Sequence, residues 1–182
     1  QYTGTPLLPR GGGTSQCGQT VSHATVIDTT IHLTKIIELD VEIRQCVVEP
    51  GVVLDDLNRQ LKPHGSWFPV DVSTSSRATI GGMAANNSCG GRSIRYGIMR
   101  DNVLAIDAWL ADGSLASFGK LDPDMAMPQG RFGEILPDLL ALGRDNQAEI
   151  NDKFPKVLRR VGGYNIDALM PDAMALRPGG KA

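Results

Sequence analysis

Residues 8–20, LPRGGGTSQCGQT, form the first segment whose residue types could do chemistry. Consecutive glycines let the backbone approach a ligand closely and adopt positive φ angles. Consecutive N–H groups in such a turn form a concavity that binds anions, and the hydroxyls of Thr14 and Ser15 are further donors. Glycine-rich composition also suits a flexible linker. This segment alone therefore leaves two interpretations open, a phosphate-binding loop and a linker.

Two common nucleotide-binding loops do not match this segment. Residues 13–20 follow the Walker A spacing GxxxxGK[ST], but Gln19 stands where the lysine belongs and supplies no positive charge for the phosphates. A Walker A loop also opens a helix, whereas residues 24–28 read as a strand. No GxGxxG opens a helix within a strand–helix–strand unit. Both nucleotide-binding interpretations are excluded.

The second segment that could do chemistry is STSSRATIGGMAANNSCGGRSIRYG, residues 73–97. Its length and its glycines predict an ordered, functional loop. Residues 78–85 are small and apolar, so a flat group could lie against the backbone there. Asn86, Asn87 and Ser88 then offer amide and hydroxyl groups. The alternative is a buried contact of glycine and alanine between two elements.

Composition excludes several classes of function. The 182 residues carry a net charge of −2, with lysine and arginine scattered, which argues against a nucleic-acid surface. No apolar run has the length of a membrane span and no signal segment opens the chain. Cys17, Cys46 and Cys89 are widely spaced and odd in number, so we expect no disulfide framework and a reducing compartment. The spacing of the three histidines predicts no metal site.

The elements that must position the two glycine-rich segments begin with strands. Residues 5–9 and 23–30 predict short strands on either side of the first loop. Residues 41–51 alternate and predict one half-buried strand with Val41, Ile43 and Val47 on one face.

The remaining pattern is largely helical. Leu54, Leu57 and Leu61 predict an amphipathic helix within residues 53–65. Residues 101–121 predict a β-hairpin with a tight primed turn at Asp112-Gly113. Helix is predicted from about Phe132, with Ile135, Leu139 and Leu142 on one face, and again over residues 146–154; residues 170–182 predict a loop. Strands followed by helices, without regular alternation, predict an α+β fold.

Taken together, the two glycine-rich segments resemble the FAD-binding domain of the vanillyl-alcohol-oxidase-type flavoproteins. The matching residues are PRGGGTS followed by GQ, then residues 73–97, then RDNVLAIDAWLADG, and more loosely RRVGGYN. The nearest branch resembles the FAD-linked oxidases of the glycolate oxidase and D-lactate dehydrogenase group. The resemblance implies two small α/β subdomains with FAD between them, residues 1–65 and residues 66–182.

The resemblance also implies which residues contact FAD. The loop at residues 9–19 would wrap the pyrophosphate with backbone N–H groups, and the second segment would run along the cofactor. Because covalent members of the wider family have a histidine where this chain has Thr14, we expect non-covalent FAD. The implied cofactor-binding residues are Arg10, Gly11, Gly12, Gly13, Thr14, Ser15, Gly18, Gln19, Pro69, Asp71, Thr79, Ile80, Gly81, Gly82, Ala85, Asn86, Asn87, Ser88 and Gly90.

The implied function is that of the FAD-binding part of an oxidoreductase. Its substrate would be a 2-hydroxy acid such as D-lactate, glycolate or D-2-hydroxyglutarate, oxidised by hydride transfer to flavin N5. Electrons would pass to an iron–sulfur module, a quinone or a carrier protein. Two alternatives stay open, a non-catalytic flavin- or nucleotide-binding module and a flavin reductase of cell-wall nucleotide-sugar synthesis.

Relative to the family, we expect this sequence to lack a strand and a helix before the loop, and a substrate-binding cap after it. No catalytic residue is therefore assigned. Arg95, Tyr96 and Tyr164 are candidates for the flavin edge, although such loop residues more often serve packing. We expect a cytoplasmic protein, with or without association with the inner face of a membrane, and neither the hydroxy acid nor the oligomeric state follows from the sequence.

Overall fold

A computed structural model of the protein describes residues 4–120, 127–157 and 160–170. The chain forms two compact units, the first up to Arg100 and the second from Asp101. Across the described residues there are three two-stranded sheets and six α-helices. This confirms the predicted α+β class. Within the same ranges, every helix is too short or too polar to cross a lipid bilayer.

The first unit begins with two small sheets. Strands β1 (Leu7–Arg10) and β2 (Thr25–Asp28) pair in parallel on either side of the glycine loop, which confirms both predicted strands. Strands β3 (Ile36–Asp40) and β4 (Gln45–Val48) form an antiparallel hairpin.

This hairpin corrects the single strand predicted over residues 41–51. The Asp40 carboxylate accepts hydrogen bonds from the backbone N–H groups of Glu42 and Ile43 and turns the chain there. Arg44 completes the turn with a φ of 56°. The alternating residues that predicted one strand therefore begin with a turn. The carboxylate that stabilises this turn belongs to Asp40, just before those residues.

The helices of the first unit carry its core. Helix α1 (Leu54–Leu61) buries Leu54, Leu57 and Leu61, as predicted. A 3-10 turn follows it. Where the sequence predicted a long loop over residues 73–97, the structure has two short helices, and a third follows them. They are α2 (Ile80–Ala85), α3 (Ser93–Tyr96) and α4 (Met99–Asn102).

The second unit contains the predicted hairpin of β5 (Ile106–Trp109) and β6 (Leu115–Phe118). Its turn is wider than the predicted one. The Leu110 N–H donates to the Ser114 carbonyl, and the Gly113 N–H donates to the Leu110 carbonyl. Gly113 has a φ of 85°. This is a three-residue loop with glycine in the left-handed region, a common hairpin connection.

Helices α5 (Gly130–Asp145) and α6 (Gln147–Lys153) complete the second unit, as predicted, with a 3-10 turn at Ile166–Leu169. Of the predicted face of α5, Ile135 packs against the cluster of Phe132, Leu136 and Ala116, and Leu139 is half-buried. Leu142, the third predicted residue, is 46% exposed. The predicted C-terminal loop, apart from Met170, lies outside the described residues.

Candidate functional site

The glycine loop follows β1 directly, and its base is tied to β2. The Arg10 carbonyl accepts hydrogen bonds from the N–H and the hydroxyl of Thr29. Two glycines of the loop have positive φ angles, Gly13 at 65° and Gly18 at 83°. The sequence predicted such freedom for the glycine run as a whole. Gly11 and Gly12 are glycines for a different reason.

That reason is close packing on the inner side of the loop. A Cβ on Gly11 would overlap the Thr79 hydroxyl, and a Cβ on Gly12 would overlap the Arg77 carbonyl. Only glycine permits this approach of two backbones. The structure therefore brings the two glycine-rich segments of the sequence into direct contact.

The outer side of the loop presents backbone donors. Residues 12, 13 and 15–19 are exposed, and no acceptor among the described residues receives a hydrogen bond from the backbone N–H groups of residues 11–15. The Arg10 guanidinium lies beside Gly13, with its Nε 3.1 Å from the position of a Cβ there. Exposed amides beside a fixed positive charge can bind an anion such as a diphosphate.

Backbone hydrogen bonds to the residues that precede α1 hold the second segment in place. The N–H groups of Ile80 and Gly81 donate to the carbonyls of Val52 and Pro50. In the opposite direction, the Leu54 N–H donates to the Ala78 carbonyl at 3.0 Å. The first N–H groups of a helix have no acceptor within that helix. Here each segment supplies carbonyl acceptors for the N–H groups at the start of the other segment's helix.

Glycine makes this junction compact. A Cβ on Gly81 would lie 2.5 Å from the Pro50 Cβ, and a Cβ on Gly51 would overlap the Thr29 carbonyl. Thr29 is also the residue tied to the loop base. A continuous set of backbone contacts therefore runs from the end of β2, through Gly51 and Gly81, to the glycine loop.

Thr79 is the centre of the junction. Its side chain is 2% exposed, caps α2 by accepting the Gly82 N–H at 3.3 Å, and lies under Gly11. Ile80 is buried as well. The structure thus places the Thr79 side chain under the loop and buries Ile80, while Gly82 is exposed.

Asn87 has the most unusual environment in the second segment. Its φ of 48° lies in the left-handed region, which is uncommon for a residue other than glycine. Its Oδ1 accepts the Arg100 N–H at 3.1 Å. Its Nδ2 is buried and donates to no acceptor among the described residues. A strained backbone and an unsatisfied buried donor at one residue are typical of a ligand contact.

Asp71 holds the end of the segment. A Cβ on Gly90 would overlap the Asp71 carbonyl, and the Asp71 carboxylate accepts the Arg92 N–H at 3.0 Å. Of the other predicted site residues, Ala85 and Asn86 are exposed, and Pro69 and Ser88 are half-buried. All the implied cofactor-binding residues lie in the first unit, whereas the flavin-edge candidate Tyr164 lies in the second.

Sequence reasoning missed three residues that shape this site, namely Arg77, Pro50 and Gly51. The signal for the last two was the Pro-Gly pair before α1, which we read only as the end of a strand. Nothing in the sequence marks Arg77, because its contribution to the junction is a backbone carbonyl.

Titratable groups near the loop have a structural role. Two hydrogen bonds from Thr30, from its hydroxyl at 2.6 Å and its N–H at 2.8 Å, hold the pKa of the Asp28 carboxyl below its ordinary value. Within the described ranges no cluster of three histidine, cysteine or acidic side chains could hold a metal ion.

The site residues fit a dinucleotide cofactor on two observations. The loop has amides without internal acceptors, and Asn87 has a buried donor without an acceptor. An α+β fold that holds an amide-lined glycine loop against a second glycine segment is typical of proteins that bind a cofactor diphosphate. The class defined in this way is a cofactor-binding domain.

Comparison with known proteins identifies that class. Residues 1–119 match the family model described as the FAD binding domain. The chain therefore belongs to the FAD-binding domain family of FAD-linked oxidases. A solved structure of alkyldihydroxyacetonephosphate synthase shares the fold with a TM-score of 0.56 and 22% identity, over 67% of this chain and 24% of that chain.

Several relatives are similar in sequence. D-2-hydroxyglutarate dehydrogenase of Pseudomonas putida is 40% identical over 88% of this chain and 16% of its own length. The Haemophilus influenzae enzyme of the same name is 43% identical over 91% of this chain and 17% of its own length. Glycolate oxidase subunit GlcD of Bacillus subtilis is 37% identical over 66% of this chain and 26% of its own length. The chain thus spans about a sixth of the dehydrogenases that it matches.

Proposed function

We propose that this chain is the FAD-binding part of an oxidoreductase that oxidises a 2-hydroxy acid. The observation that carries the proposal is the row of exposed loop amides without internal acceptors, braced from behind by Arg77 and Thr79. The family model and the names of the relatives support FAD as the cofactor and a D-2-hydroxy acid as the substrate class.

The loop would hold the diphosphate of FAD. Donors are the backbone N–H groups of residues 11–15, with the Arg10 guanidinium as the positive charge and Gly18 and Gln19 close by. Because several oriented donors are needed for a dianionic group, the fixed geometry of the loop matters more than any one side chain. Thr14 offers no nucleophilic ring nitrogen, so we propose that FAD is held without a covalent bond.

The second segment would contact the rest of the cofactor. Thr79 supports the loop from inside, Ile80 and Gly81 hold the start of α2 against Val52 and Pro50, and exposed Gly82 lets the cofactor approach the backbone. The Asn87 carboxamide would donate from Nδ2 to an acceptor on the cofactor, since its Oδ1 is already used by Arg100. We propose that residues 1–65 and 66–182 belong to the two halves between which FAD is held.

FAD supplies a hydride acceptor at flavin N5 when it is bound. The role of this chain in the reaction is to bind and orient the flavin. We assign no residue of this chain as the base that removes the hydroxyl proton of the substrate. The electron acceptor would be an iron–sulfur module, a quinone or a carrier protein. Three free cysteines at separate positions support a reducing, cytoplasmic location.

The experiment uses the whole polypeptide in which this sequence occurs, purified and saturated with FAD. We expect a yellow protein whose flavin absorbance bleaches on anaerobic addition of D-2-hydroxyglutarate, D-lactate or glycolate. A protein that binds FAD but is reduced by none of them supports the non-catalytic module, and bleaching by NADPH supports the reductase. A protein that stays colourless in FAD contradicts every version of the proposal.

A further inference from the structure

Four side chains of the first unit, Trp67, Arg92, Arg95 and Tyr96, form an exposed cluster. The rings of Trp67 and Tyr96 meet edge to face, with centroids 5.2 Å apart. The Arg92 guanidinium lies 5.1 Å from the Trp67 ring centroid, and that of Arg95 lies 5.3 Å from the Tyr96 ring centroid. Trp67 is 41% exposed and Tyr96 39% exposed. We call these four residues the arginine–aromatic patch.

The backbone fixes the patch from both sides. The Phe68 N–H, next to Trp67, donates to Asn58 Oδ1 at 2.7 Å. The Arg92 N–H donates to Asp71 Oδ1 at 3.0 Å. Arg92 has helical dihedral angles at the start of α3, so Arg92 and Arg95, three residues apart, lie on neighbouring positions of one helix face. The backbone that carries Trp67 and Arg92 is therefore held in place on both sides of the patch.

The charges of the patch are not neutralised within the chain. Arg59, Arg131 and Arg144 each form an ion pair with a carboxylate. Within the described residues, Arg92 and Arg95 have aromatic faces as neighbours and no ion pair with a carboxylate. Such guanidiniums remain available for carboxylates on another molecule.

The shape and composition of the patch favour a protein partner over a small molecule. Its rings and guanidiniums are exposed, and Ile94 beside them is 68% exposed. Tryptophan, tyrosine and arginine are the residues that most often carry the binding energy of protein interfaces. Two unneutralised positive charges select a partner surface that carries carboxylates.

The patch also adjoins the proposed FAD site. Asp71, whose carboxylate holds the Arg92 N–H, packs with its backbone against Gly90. Both residues are among those that the resemblance implies for FAD binding. A protein docked on the patch would thus be close to the electron source.

We propose that the arginine–aromatic patch is the docking site of an acidic one-electron carrier protein. This inference rests on the proposed function. Oxidation of the hydroxy acid to a 2-oxo acid releases two electrons and two protons. Two carrier molecules, docking in turn, are each reduced by one electron, and the two protons go to solvent. Docking of this kind uses small interfaces that are steered by charge.

The test uses two haem proteins of opposite charge as probes, acidic cytochrome b5 and basic cytochrome c, with the whole polypeptide. At low ionic strength we expect cytochrome b5 to bind by surface plasmon resonance, a measurement that needs no turnover. Arg92→Glu and Arg95→Glu should each lower its association rate about tenfold, and added salt should remove the difference. Arg92→Lys should keep most of the rate.

Arg59→Glu is the matched control, because it reverses a charge that is also exposed but already ion-paired. The Arg92→Glu flavoprotein is first reduced with one equivalent of dithionite. Its reduction of cytochrome b5 should fall in parallel with binding, while its reduction of an uncharged quinone should not change. Equal effects of Arg59→Glu and Arg92→Glu would overturn the docking site, as would equal losses with quinone and cytochrome. Failure of hydroxy acids to reduce the flavin counts only against the proposed function, because dithionite replaces them here.

Discussion

The glycine loop at residues 9–19 and the glycine-rich segment at residues 73–97 have similar compositions, but their backbone N–H groups are used in opposite ways. In the loop, the N–H groups of residues 11–15 have no acceptor among the described residues. In the second segment, those of Ile80, Gly81, Gly82 and Gly90 all donate to acceptors within the chain.

The difference shows that glycine serves two purposes in this domain. In the loop it exposes amides and, at Gly13 and Gly18, adopts positive φ angles. In the second segment it lets Gly81 and Gly90 pack on the Pro50 and Asp71 backbones. The loop is therefore expected to govern affinity for the diphosphate, and the Gly81 and Gly90 contacts of the second segment to govern stability.

The largest expected effect comes from Gly12→Val, at the contact between the two regions. The new side chain would overlap the Arg77 carbonyl and displace the loop, so flavin content should fall at least about tenfold, the equivalent of ~1.4 kcal/mol. Flavin absorbance per protein after gel filtration measures it. Gly162→Val is the control, because no atom lies within 4 Å of a Cβ there. Normal flavin content in the Gly12 variant would contradict the loop assignment.

Gly81→Ala should separate stability from affinity. Its Cβ would lie 2.5 Å from the Pro50 Cβ while the loop amides are unchanged. Overpacking of this kind costs about 1–3 kcal/mol, visible in urea unfolding. FAD affinity of the folded fraction should stay close to that of the wild type. Gly91→Ala, whose Cβ would make an ordinary 3.7 Å contact, should have little effect. A Gly81→Ala variant that is as stable as the wild type but binds FAD weakly would contradict the roles assigned to the two regions.

The smallest effect is expected at Thr79, which connects the two regions. Thr79→Val keeps the shape but removes the hydroxyl that accepts the Gly82 N–H. Loss of this cap should cost about 1 kcal/mol, or roughly 2–4 °C in Tm for a chain of this size. Thr79→Ser keeps the acceptor and should remain near the wild-type Tm. If Thr79→Val and Thr79→Ser have the same Tm, the hydroxyl does not stabilise the junction.

Much of the fold was predictable because the pattern is local. The spacing of Leu54, Leu57 and Leu61 predicted α1 and its buried face correctly. Asp112-Gly113 correctly predicted the hairpin. The type of its turn depends on the hydrogen bond from the Leu110 N–H to the Ser114 carbonyl, which the dipeptide does not determine. The strand predicted over residues 41–51 failed because the carboxylate that turns the chain, Asp40, precedes the alternating residues.

The sequence by itself determined the α+β class, the two glycine-rich segments and their family, because these depend on residue types at fixed spacings. Only the tertiary structure decided which glycines are needed for close packing and which expose donors, because that depends on atoms distant in sequence, such as the Arg77 carbonyl beside Gly12. It likewise placed Trp67 against Arg92 and Tyr96, a contact between segments 25 or more residues apart that no local pattern encodes.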